Sequence, residues 1–269
     1  MDPVDLAVTD TAILAETDQR NADTVGAGKA ILITLVYYLA QFIVVFVVGI
    51  IAVGYYKATG GGLTPAMTVQ IQKSVMLPSA LLGLVAAGLA VLLITRQVLR
   101  RSGLQGGLAS LGWRSARSRE VVVGLCAGVA LAVFYLFLLT RIFPPAPVQK
   151  WGPMATAVTI GSWQRALWAM MALLAPPIEE FVFRGVLWSG LRRSVGAAAA
   201  GLLVTALFVG SHSTEALNYW PAWLPIAALG VGTVSLRAQT GSLAPPLAAH
   251  AAYNVCLVSM VYLRAALSG

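Results

Sequence analysis

The sequence predicts an all-α fold, a polytopic membrane helical bundle of about seven (six to eight) transmembrane helices, on three observations. Its 269 residues are 58% hydrophobic and only 10% charged, with a mean hydropathy of +0.81, a profile that water-soluble globular domains do not show. Runs of about 20 apolar residues recur, the length that ~30 Å of hydrocarbon requires at 1.5 Å rise per residue. Such segments span as helices, because lipid offers the backbone no hydrogen-bond partners. Lys and Arg stand at the ends of these runs, so the net charge of +8 marks membrane topology and not a nucleic-acid partner.

Taken in order, residues 1–28 hold six of the ten acidic residues and lack both a basic start and an apolar core. They read as a soluble acidic tail or short surface helix rather than a cleavable signal. The first three spans are Ala30–Tyr56, Ser74–Thr95 and Val121–Phe143. Between the second and third lie Arg96, Arg100, Arg101, Arg114, Arg117 and Arg119, a connection that the positive-inside rule assigns to the cytoplasm. Beyond the Pro-rich loop Pro144–Pro153 come Trp163–Leu191, which contains Pro176-Pro177, then Val195–Ser211, Tyr219–Leu236 and Leu243–Leu267. Counting from the arginine-rich connection puts the N-terminus, Arg192, Arg193 and Arg237 inside, and Lys57, Lys73 and Lys150 outside. The many Ala, Gly and Arg residues with few Lys suggest a GC-rich bacterial genome, and hence an integral protein of a bacterial inner (cytoplasmic) membrane. Cys126 and Cys256 fall in apolar spans without CxxC spacing and read as two buried thiols. Gly124–Gly128, and Gly185–Gly190 with Ala197–Gly201, offer small faces for close helix packing.

The Pro-rich loop divides the chain by content. Residues 29–153 form three structural spans with little polarity beyond Ser, Thr and Gln41, whereas residues 154–269 carry both intramembrane glutamates, both histidines and Asn254. Glu179 and Glu180 sit side by side in an apolar stretch, where one ionisable residue costs ~2.5–3.5 kcal/mol on insertion scales. On a helix, Glu180 and Arg184 share a face while Glu179 is rotated by ~100°. The arginine therefore neutralises one carboxylate and leaves the other for a different task. His212 closes Phe208-Val209-Gly210-Ser211-His212, and His250 shares a helix face with Asn254, four residues on. A base in Glu179, a proton carrier or orienter in His212, and donors in His250 and Asn254 make up the inventory for adding water to a carbonyl.

The strings EExxxRG at Glu179–Gly185, FxxxH at Phe208–His212 and HxxxN at His250–Asn254, in that order on successive spans, resemble the CPBP family. This is the family of CAAX-protease and bacteriocin-processing (Abi) intramembrane endopeptidases, and the resemblance covers roughly Trp163 to Leu267. It implies that Glu179 activates water with help from His212, that His250 and Asn254 form an oxyanion site, and that Glu180 and Arg184 hold the cavity in shape. The implied partner is a membrane-associated or lipid-anchored protein or peptide, cut near its end by CAAX-type, bacteriocin-processing or sorting-signal cleavage. No soluble small-molecule cofactor is expected.

The family is described both with and without a metal. A catalytic zinc wants three protein ligands, for which Glu179, His212 and His250 are the candidates. The HExxH spacing of zinc peptidases is absent, and a zinc holding both histidines would leave Asn254 the only oxyanion donor, so the metal-free form is favoured. The rival readings are an ion-coupled transporter, which should show inverted repeats, and a non-catalytic immunity or scaffold protein on the same fold. Depth sets a problem. At 1.5 Å per residue from Arg192-Arg193, Glu179 lies ~20 Å deep, with His212 nearer the far side and His250 nearer the cytoplasm. Either Val186–Ala200 holds an interfacial segment or the Pro245-Pro246 break sits within the membrane, and Pro176-Pro177 should break its own helix.

Overall fold

A computed structural model describes residues 25–60, 64–102, 107–143 and 162–267. The acidic tail up to residue 24, the Pro-rich loop Pro144–Pro153 and Lys150 lie outside them. The described residues form a helical bundle without a strand, and five helices are long and apolar enough to cross a membrane.

Helix α1 (Ala27–Ala58) begins inside the expected tail, and Val25 just before it is buried. Its buried residues, Ala30, Ile33, Thr34 and Tyr37, follow the i, i+3, i+4, i+7 stripe of one helix face. Leu32, Leu35, Leu39, Phe42 and Phe46 point away from the protein, as a lipid-facing surface requires. Helix α2 (Pro65–Arg101) packs along α1 and ends on Arg100 and Arg101, cations at the negative end of the helix dipole.

Helix α3 (Ser118–Arg141) starts on a capping box in which Glu120 accepts from the Arg117 backbone N–H at 2.9 Å. Its buried stripe is Gly124, Gly128, Ala132 and Tyr135, and small residues four apart let two helices approach closely. They do so here: a Cβ on Gly124 or Gly128 would collide with the backbone carbonyl of Pro245 or Ala249. Cys126 consequently points outward, exposed, while Cys256 is half-buried, and both are free. The expectation of two buried thiols fails for Cys126 because the glycine stripe, not the apolar average, sets the inward face of α3.

The fourth expected span is a continuous rod, Ser162–Val195, made of α4 (Ser162–Glu180), a π-helical segment Phe181–Leu187 and α5 (Trp188–Val195). Pro176 and Pro177 lie inside α4 and do not break it. They remove two N–H donors, and the widened ladder follows directly after Glu180, with the Trp188 N–H reaching the Phe183 carbonyl. Every residue from Phe181 to Leu187 is buried. The rod contacts α1, α2 and α9, and α6 packs on α5.

Gly196, at φ 80°, turns the chain into α6 (Ala197–Ser211), 15 residues long and hence only ~22 Å. A short α7 (Ser213–Asn218) and a 3₁₀ turn (Trp220–Ala222) precede α8 (Trp223–Thr240), so the sixth segment starts later than Tyr219. Gly241, left-handed at φ 66°, caps α8, and its N–H donates to the Arg237 carbonyl at 3.0 Å. Helix α9 (Ala244–Leu267) carries Pro245 and Pro246 in its first turn, where a missing N–H breaks nothing. Neither proline interrupts α9.

Arg237, near the end of α8, is buried: it donates through Nε to the Arg184 carbonyl at 3.2 Å and through Nη2 to Ser189 Oγ at 3.3 Å, and lies over the Trp188 ring at 5.1 Å. A cation at a helix end thus braces the π-helical segment instead of facing water.

Candidate active site

The site is built where α9 crosses the end of α4. Glu180 is 1% exposed and Arg184 fully buried, and Glu180 Oε1 accepts from Arg184 Nη1 at 3.2 Å. The same oxygen meets His250 Nδ1 at 2.9 Å. A carboxylate only accepts, so Nδ1 carries the proton and Nε2 is turned the other way. Nε2 lies 3.8 Å from Glu179 Oε2, beyond hydrogen-bond reach. That Glu179 oxygen is buried without a hydrogen-bond partner. His250 therefore stands between the two carboxylates, a contact that helix periodicity alone does not reveal.

Arg184 completes this inner group. Its Nη2 donates to the Gly230 carbonyl of α8 at 3.2 Å, and its guanidinium lies 4.4 Å from the centroid of Phe208. Phe208 packs edge-on against Phe183 and His250, at 5.4 and 5.7 Å between centroids, and against the His212 ring at 4.8 Å. One aromatic ring thus joins the arginine and both histidines.

His212 sits at the end of α6. Its Nδ1 is 3.0 Å from the Phe208 carbonyl and 3.1 Å from Ser211 Oγ. A carbonyl cannot donate, so Nδ1 again holds the proton and the Nε2 lone pair is left for another donor. No hydrogen bond joins His212 to Glu179, and the two are linked only through their neighbours.

Asn254 donates through Nδ2 to the Ala172 carbonyl at 2.7 Å. The reason lies four residues on: Pro176 has no N–H, so the Ala172 carbonyl has no partner in its own helix. Asn254 fills that place across the helix interface. The second hydrogen of its amide remains for another acceptor.

The sequence reading missed the contribution of α1. Tyr37 is buried with its phenol paired to Gln41, and Tyr37 and Tyr38 both lie within electrostatic reach of Glu179. The Tyr38 hydroxyl donates to the Leu207 carbonyl at 3.2 Å, next to the Ser211 that touches His212. Gln41 was the one polar hint in that span. Among the described residues no three His, Cys, Asp or Glu side chains gather closely enough to hold one metal ion.

A buried and a half-buried carboxylate, a histidine held between them and a second histidine on the same aromatic ring are all carried by one stretch of chain. Residues 161–256 match the Rce1-like family, type II CAAX prenyl endopeptidases. Neither the curated proteins nor the solved structures compared with the chain gave a match. The Rce1-like stretch contains Glu179, Glu180, Arg184, Phe208, His212, His250 and Asn254, and it is consistent with a CPBP-family intramembrane protease. Tyr37, Tyr38 and Gln41 lie outside it.

Proposed function

We propose that this protein is a CAAX-type intramembrane endopeptidase that cleaves near the end of a lipid-anchored or membrane-inserted protein by glutamate-activated water, without a metal. The observation that carries the reading is the pairing of a buried, unpartnered Glu179 Oε2 with a histidine 3.8 Å away whose other nitrogen is fixed by Glu180. A structural ion pair explains Glu180 and Arg184 but gives Glu179 no task.

In this mechanism Glu179 takes a proton from a water that also donates to His212 Nε2, and the hydroxide attacks the scissile carbonyl. His250 Nε2, when the ring carries both protons, and the second Asn254 amide hydrogen hold the developing oxyanion. One such donor typically contributes ~10²–10³ in rate. Collapse breaks the C–N bond, and the proton on Glu179 passes to the leaving nitrogen. Glu180 fixes the His250 ring, and Arg184 balances the charge of Glu180.

The test is cleavage of a lipidated reporter peptide by reconstituted wild type, Glu179→Gln and His212→Ala. The reading expects both variants to insert and fold yet lose cleavage. Wild-type activity in Glu179→Gln contradicts it.

A further inference from the structure

The last turns of α2 line a groove of about 600 Å³ bounded by Leu93, Ile94, Arg96, Val98 and Arg100. A second cavity of about 390 Å³ shares Arg96 and Arg100 and is walled by Leu99, Gly107 and Leu108. Two guanidiniums four residues apart on one helix face repel. Neither has a carboxylate partner among the described residues, since Glu120, the nearest acid in sequence, is turned onto the backbone N–H of Arg117. Arg101 and Gln97 line the same groove, and the Gln97 amide, with its oxygen towards Arg101, accepts from its Nε at 3.0 Å.

The negative end of the helix dipole offsets part of the repulsion, yet it gives no reason for the cations to border apolar walls. The groove is divided by chemistry. Arg96 and Arg100 occupy the end next to the arginine-rich connection, and Leu93, 65% exposed, continues it along the outward face of the span. A ligand that satisfies both halves carries an anionic head at the membrane surface and a hydrocarbon tail beneath it. We infer that this groove binds one anionic phospholipid, its phosphate between Arg96 and Arg100 and an acyl chain along Leu93 and Ile94.

The full chain in phosphatidylcholine nanodiscs with a minor fraction of phosphatidylglycerol, examined by native mass spectrometry, reports which lipid stays bound. Wild type should retain phosphatidylglycerol over phosphatidylcholine by roughly thirtyfold, the combined effect expected of two arginines at the surface. Arg96→Gln/Arg100→Gln should lose that preference at unchanged thermal stability in phosphatidylcholine, whereas Arg264→Gln, at the far end of α9, should keep it. Excess inorganic phosphate should not displace the lipid, because it makes no use of the apolar wall. Equal retention of the two lipids, an unchanged preference in the double variant, or displacement by phosphate overturns the assignment.

Discussion

His250 is gripped by Glu180 at 2.9 Å and faces Glu179 at 3.8 Å, so two acids adjacent in sequence have different surroundings. Glu180 is spent on two donors, Arg184 and His250, and its loss leaves Arg184 buried without its paired anion. Breaking a buried pair by removing one partner costs about 3–5 kcal/mol. Glu180→Gln should therefore lower the thermal midpoint in detergent by many degrees, while Glu179→Gln, which removes no hydrogen bond, should unfold at the wild-type temperature. Equal midpoints for the two variants would show that Glu180 is not the structural member. Arg184→Met combined with Glu180→Gln should recover much of the loss, since no buried charge is then left alone.

At the scale of elements, two helix contacts hold the site in register, and each is open to a direct test. The bond from Asn254 to the Ala172 carbonyl exists because Pro176 withholds its N–H. Asn254→Ala should cost about 1–3 kcal/mol by orphaning that carbonyl. In the Pro176→Ala background, where the helix can satisfy the carbonyl itself, the same change should cost clearly less. A double-mutant cycle with no coupling energy would contradict this. The second contact is α3 against α9 at Gly124 and Gly128. Gly128→Leu should force α9 away, displace His250 and reduce both stability and cleavage, whereas Ala127→Leu, one position aside, should change neither.

Across the whole molecule, the helical class and the seven helical segments were legible, because lipid imposes long apolar runs, and the candidate site residues stood out because a polar group within such a run is conspicuous. What was not legible arises between distant segments. Tyr37 and Tyr38 look like ordinary aromatic residues of a first span, and only the packing of α1 on the π-helical segment brings them to Glu179. Arg237 reads only as a helix-end charge, and its bond to the Arg184 carbonyl of the widened segment becomes visible only in the fold. Pro176-Pro177 reads as a break, and Asn254, which takes the Ala172 carbonyl that Pro176 leaves unpaired, lies 82 residues beyond Ala172 along the chain. The depth conflict arose from measuring each span separately. The contact of His250 with Glu180 places those two groups at one level, and the ring of Phe208 brings His212 towards it. A site assembled from α4, α6 and α9, with tyrosines of α1 against it, also predicts that residues 154–269 expressed alone will not cleave a reporter that the full chain cleaves.

The central claim is that a glutamate, and not a metal, activates the water. Its most direct test is cleavage of a lipidated reporter by purified wild type and Glu179→Gln, before and after chelation, beside elemental analysis of the same preparations. The account predicts activity that survives metal removal in wild type and is absent in Glu179→Gln. Stoichiometric zinc whose removal abolishes wild-type cleavage, restored on adding zinc back, would contradict it.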